Sequence, residues 1–147
     1  MKKFVIIMAV SAIILGLNAC KSKQKVAETS KPAAEITDES KKLVGKTWQL
    51  VELNGNSVEN EAFIVFGKDN RFNGNLGCNL MNGTYELNGS RIQFGQVIST
   101  KKLCLNMTVE DEFAKVLQVA DSFYVSESEL ILNRARMAPL AKFVAKK

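Results

Sequence analysis

The sequence predicts a mainly β domain of the α+β class: an antiparallel, barrel-like sheet of about seven to nine short strands with a single helix packed on it. Three observations lead there. Asn-Gly pairs recur at Asn54-Gly55, Asn73-Gly74, Asn82-Gly83 and Asn88-Gly89, and both residue types tolerate the positive φ that tight hairpin turns require. Short segments rich in β-branched and aromatic residues run between these marks. Only one stretch, beginning at Thr108, carries apolar residues at helical spacing.

The first strand is expected at 46–53 around Trp48, followed by 62–66 and 71–76. The clearest pair is the hairpin of 84–87 with 90–94. Folded about Asn88-Gly89, it sets Leu87 opposite Ser90, Glu86 opposite Arg91 and Tyr85 opposite Ile92. Tyr85, Leu87, Ile92 and Phe94 then share one face, and Thr84, Glu86, Arg91 and Gln93 the other. Further strands are expected at 97–100, 122–126, 129–133 and 140–144. The helix starts at Thr108-Val-Glu-Asp111, which reads as a capping box with acids where the helix dipole favours them. Val109, Phe113, Val116, Leu117 and Ala120 form its apolar stripe, to be laid on the sheet or set in one mouth of the barrel.

These elements fill residues 43–147, about 105 residues, the usual size of one domain. What precedes them has another character. Residues 1–19 read as a secretory signal peptide: Lys2-Lys3, then an apolar run from Phe4 to Leu17. As a helix that run spans roughly 21 Å, short of the hydrocarbon core's thickness of about 30 Å. Leu17-Asn18-Ala19-Cys20 resembles the bacterial lipobox, in which the cysteine is acylated and becomes the new N-terminus. Residues 20–42 are expected to be a lipidated, disordered tether, because 21–42 contain no aromatic residue and only Val26 and Ile36 as large aliphatics. Lys21 rather than Asp after the cysteine resembles the outer-membrane default of lipoprotein sorting, so the domain is expected on an outer membrane, facing the periplasm.

The net charge of +5 belongs to these flanks. From Leu43 onward 12 basic and 11 acidic residues remain, net +1, which argues against an electrostatic nucleic-acid footprint. The chain contains no His. That removes imidazole-based nucleophilic catalysis, imidazole zinc sites and the ordinary neutral-pH proton shuttle. Glu110-Asp111-Glu112 offer carboxylates, but they stand at a helix start, where acids serve stability. Gly74-x-x-Gly77 lacks the following helix and Lys-Ser/Thr of a phosphate loop. No catalytic, cofactor-binding or metal-binding residue is expected.

With Cys20 assigned to lipid, Cys78 and Cys104 remain. In an exported domain two such cysteines suggest a disulfide; two buried thiols or a redox pair are the alternatives, the last weakened by the absence of a C-x-x-C spacing.

Both cysteines sit in stretches that resemble the META domain family of HslJ-like bacterial envelope lipoproteins. Gly74-Asn-Leu-Gly77-Cys78-Asn79-Leu-Met-Asn-Gly83-Thr-Tyr85 is similar to that family's G-x-x-G-C-N-x-x-x-G-x-Y, and Ser99-Thr100-Lys101-Lys102-Leu103-Cys104 to its S-T-[RK]-x-x-C. Trp48-x-Leu50, Leu130-x-Leu132 and the helix bearing Glu112, Phe113 and Leu117 also fit. Lys102 departs from the apolar residue common at its position, giving that loop a more basic face. The resemblance implies a barrel-like sheet with one helix and no established enzymatic activity. It also implies a loose association with heat and antibiotic stress and, in some members, with motility or secretion. Gly74, Gly77, Asn79, Gly83, Tyr85, Ser99 and Thr100 are then structural determinants.

The function expected is that of a membrane-tethered, non-enzymatic interaction module of the envelope, monomeric, with no cofactor. It would hold the membrane through its N-terminal lipid and bind an unidentified envelope protein. A carrier of a small apolar ligand in the barrel is one alternative, with Trp48, Phe63, Phe66, Tyr85, Phe94, Phe113 and Phe123 as lining. An inhibitor of an envelope hydrolase that inserts the Lys101-Lys102 loop is another.

Overall fold

The computed structural model describes residues 38–135 and 138–146. The expected signal peptide, Cys20 and the tether as far as residue 37 lie outside them. The first element is α1 (Asp38–Leu43), with Asp38 and Glu39 in its first turn and Lys41 and Lys42 in its last, the order a helix dipole favours. It occupies the last positions of the stretch expected to be tether. The reason is local. Leu43 is fully buried, and its carbonyl accepts the Trp48 indole N–H at 2.8 Å. A single apolar anchor at the helix's last residue leaves the average composition of the segment polar.

The strands follow as β1 (Thr47–Leu53), β2 (Asn56–Ser57), β3 (Phe63–Phe66), β4 (Arg71–Asn75), β5 (Leu80–Asn88), β6 (Arg91–Phe94) and β7 (Ile98–Ser99). Then come α2 (Thr108–Val119), β8 (Ser122–Val125), β9 (Glu129–Asn133) and β10 (Ala141–Lys146). Eight strands close an antiparallel barrel in the order β1-β3-β4-β5-β6-β8-β9-β10, with β10 returning to β1. The eight fall within the expected number; β2 on β1 and β7 on β5 are two-residue additions outside the ring. Closure is strongest at β1–β10, where pairing runs from Thr47–Lys146 to Leu53–Ala141 with a bulge between Leu50 and Glu52. It is thinnest at β6–β8, where Arg91–Ser122 is the one paired position, supported by the Phe123 N–H on the Ser90 carbonyl at 2.9 Å.

Three local details differ from the sequence reading. Of the four Asn-Gly pairs, only Asn54-Gly55 forms a two-residue loop with positive φ at both positions (50° and 81°), the type I′ geometry. Asn73-Gly74 lies inside β4 and Asn82-Gly83 inside β5, with Asn73 opposite Asn82. The β5–β6 hairpin turns about Gly89-Ser90, with positive φ at Gly89 (57°) as a type II′ turn requires. Tyr85 therefore pairs with Phe94 and Leu87 with Ile92, yet each residue keeps its expected face because the slip moves every partner by two positions. The capping box does not form. Met107 is the N-cap without a side-chain bond, and Asn106 Oδ1 accepts the Thr108 N–H at 2.9 Å, which places Thr108 inside the helix.

The interior is filled by side chains, as a barrel of this strand number allows. Trp48, Phe66, Phe72, Tyr85, Phe113 and Phe143 are fully buried. Phe66 meets Tyr85 edge-on with ring centroids 5.0 Å apart, and Phe72 meets Phe94 at 5.4 Å. Phe113 of α2 stands 5.6 Å from Phe143 of β10, and Val116 and Leu117 are buried beside it in the core.

Candidate functional site

The corner between β4 and β5 gathers most of the singled-out residues. Asn75 Oδ1 accepts the Gly77 N–H at 2.7 Å, and the Leu76 N–H donates to the Asn79 carbonyl at 2.9 Å. This leaves Gly77 and Cys78 at the tip, Gly77 with φ of 127°. Gly74, just behind, lies where β3 crosses closely: a Cβ there would overlap the Phe63 carbonyl oxygen. Cys78 is joined by a disulfide to Cys104, with a Cα–Cα distance of 6.5 Å and a sequence separation of 26. Closing a loop of that length stabilises the fold by about 3.5 kcal/mol in the chain-entropy account.

Asn79, 1 % exposed, organises everything behind the bridge. Its carboxamide pairs with the backbone of Lys102 as a neighbouring strand would: Oδ1 accepts the Lys102 N–H at 2.7 Å, and Nδ2 donates to the Lys102 carbonyl at 3.2 Å. Oδ1 also accepts the Thr100 hydroxyl at 2.8 Å, and Thr100 Oγ1 accepts the Leu80 N–H at 3.2 Å. The remaining Nδ2 proton lies between the two oxygens of Glu110, at 2.9 and 3.1 Å. The Asn79 N–H adds a third bond to that carboxylate at 2.9 Å. Glu110 is itself buried, in the first turn of α2, where the helix dipole favours a negative charge. The Asn79 carboxamide uses its full hydrogen-bonding capacity, both Glu110 oxygens accept, and among the described residues no buried side-chain polar atom lacks a partner. The clamp fixes three elements, the β4–β5 corner, the segment after β7 and the start of α2.

From this clamp residues 101–105 project into solvent. Leu103 and Leu105, on either side of Cys104, are 103 % and 110 % exposed, and Lys101 and Lys102 carry exposed side chains. Leu80 and Ile98 are exposed apolar residues on the adjoining β5–β7 pair.

The META domain profile matches residues 41–147, including α1's last turn and every strand of the barrel. The chain belongs to the META domain family. Its fold is similar to the solution NMR structure of a protein from Burkholderia xenovorans, at 16 % identity and a TM-score of 0.60 over 83 % of this chain and 97 % of that one. It is also similar to the crystal structure of a DUF4847 family protein from Bacteroides vulgatus, at 16 % identity and a TM-score of 0.55, covering 69 % and 93 %. No curated protein matches it.

Within this META domain the expected structural residues fall into two groups. Gly74, Gly77, Cys78, Asn79, Thr100 and Cys104 meet at the clamp, with Ser99 beside them paired to Met81. Gly83 and Tyr85 belong to a separate part of the barrel. Gly83 lies opposite Phe72, whose ring stands where a Cβ would point. The Tyr85 hydroxyl donates to the Gly67 carbonyl at 2.7 Å, and burial, with Asp69 nearby, pushes its phenol above the ordinary range. Sequence reasoning misses Glu110 as a buried partner because acids at a helix start read as dipole complements. Its spacing of three and seven from Phe113 and Leu117 does place it at the edge of the apolar stripe, which is the available signal. Among the described residues no group of three or more His, Cys, Asp or Glu is placed to hold a metal ion. The surface clefts are open. One of about 570 Å³ is lined by Gln49, Leu50, Val58, Asn60, Glu61 and Val144, and another of about 540 Å³ lies by Arg71, Asn82 and Gln96.

Proposed function

We propose that this META domain is a non-enzymatic interaction module, held at the bacterial envelope by a lipid on Cys20 and supporting the envelope under heat or antibiotic stress. The observation that carries the reading is the clamp. Asn79, Thr100 and Glu110 satisfy one another and Lys102's backbone, so the motif's polar groups are spent on holding a loop outward rather than aimed into a cleft. A pinned, projecting loop suits recognition, since its ordering cost has been met before any partner arrives. An apolar ligand inside the barrel is the weaker reading, because Phe66, Tyr85, Phe72 and Phe94 pack on each other.

The anchor is tested by palmitate labelling of the full chain against Cys20→Ala; labelling that persists in the variant overturns it. The module is tested by crosslinking and pulldown of the tethered protein from stressed cells, with native mass spectrometry of the purified protein. A reproducible protein partner without a co-purifying ligand supports the reading. A stoichiometric small apolar mass without a partner overturns it.

A further inference from the structure

We infer that the loop from Lys101 to Leu105 is a lipid-docking finger: Leu103 and Leu105 enter the headgroup layer of an anionic bilayer while Lys101 and Lys102 pair with its phosphates. The inference deepens the reading of a membrane-held domain and rests on it for its setting.

The position of the exposed apolar side chains is the first argument. Leu80, Ile98, Leu103 and Leu105 are four of the seven large hydrophobic residues left exposed among the described residues, and all belong to this one corner. Leu80 and Ile98 lie on the same face of the β5–β7 pair, because Asn82, two residues from Leu80, is the direct partner of Ile98. Leu103 and Leu105 project beyond the body of the domain rather than lining a groove, a shape suited to entering a soft layer. Charge selects the occupant. Residues 100–107 contain two lysines and no acid; of the three acids that follow in α2, Glu110 has its oxygens taken by Asn79, while Asp111 and Glu112 stand further along the helix. Adjacent exposed lysines beside exposed leucines are complementary to an anionic lipid surface, where lysines gain headgroup attraction and leucines gain burial. The third argument is stiffness. The disulfide at Cys104 and the Asn79 bracket at Lys102 hold the segment from both sides, so insertion orders little new chain.

The test uses the full chain with Cys20→Ala, so that no acyl chain contributes, and vesicles of phosphatidylcholine with or without phosphatidylglycerol. Any contribution from the apolar run of residues 4–17 is common to all variants and cancels in the comparison. Leu103→Ser/Leu105→Ser is expected to weaken binding to the anionic vesicles on the order of tenfold or more. Lys101→Gln and Lys102→Gln are each expected to weaken it about fivefold, and to do nothing on phosphatidylcholine alone. Both leucines are wholly exposed, so thermal unfolding of the variants is expected to match the parent. An independent reporter is Leu103→Trp. The natural tryptophan, Trp48, is buried, so a blue shift on adding anionic vesicles reads position 103. Variants that sediment like the parent, or an indole emission in Leu103→Trp that vesicles leave unmoved, overturn the inference. So does a finger that crosslinks to an envelope protein while ignoring lipid. Failure of palmitate labelling removes the anchor and leaves this result standing, so the two claims fail separately.

Discussion

A buried carboxylate beside a buried amide is stable only if every donor and acceptor agrees, and at Asn79 and Glu110 they do. The sharpest substitution is therefore Asn79→Asp. It removes both Nδ2 donors, leaves the Lys102 carbonyl unpaired and sets a second carboxylate against Glu110. Urea unfolding near neutral pH is expected to show a loss of about 3 kcal/mol or more. A loss under about 1 kcal/mol would mean that the two groups do not meet as described. A second residue-scale effect lies at Asp121. The Ala135 N–H and the Ser122 hydroxyl bond its carboxylate at 2.7 and 2.9 Å and hold it below the ordinary carboxylate range. Glu127 is lowered likewise by its bond to Lys46. A depressed folded value contributes stability above the unfolded pKa and loses it as pH falls through the folded one. Acid unfolding below about pH 4 should thus be shallower in Asp121→Asn than in the parent, and an unchanged acid limb would contradict the assignment.

At the scale of elements, glycine separates two kinds of constraint. Gly89 needs positive φ but has open space around it, so Gly89→Ala should cost only the backbone penalty, about 1–3 kcal/mol. A methyl at Gly74 would run into the Phe63 backbone, which cannot move without breaking β3–β4 pairing, so Gly74→Ala should cost more than twice as much or abolish folding. Equal losses in thermal melts would count against the β3–β4 register. This contrast also shows what a sequence makes legible. Asn73-Gly74, inside the strand expected at 71–76, and Asn82-Gly83 both carry turn chemistry, yet they lie within strands because close backbone approach and the Phe72 ring need the missing Cβ. Local turn chemistry cannot reveal a neighbour that arrives from elsewhere in the chain. Strand faces survived the hairpin slip because their period is two, whereas β2 was too short to carry any period. Glu110 and Asn79 are 31 positions apart, and no periodicity connects them.

The described residues divide into a self-filled barrel and one corner that presents a loop. The barrel's closure at β1–β10 and its buried rings account for stability, and the disulfide and the Asn79 clamp account for the shape of residues 100–107. That division is the central claim: the family motif is the mounting of residues 101–105, the loop proposed above to meet a lipid surface. Native-state amide hydrogen exchange tests it most directly. The account predicts that the amides of Asn79 and Lys102, bonded to Glu110 and to the Asn79 carboxamide, exchange orders of magnitude more slowly than those of Leu103 and Leu105 beside them. If Lys102 exchanges as fast as Leu103, the clamp does not hold the loop and the claim fails.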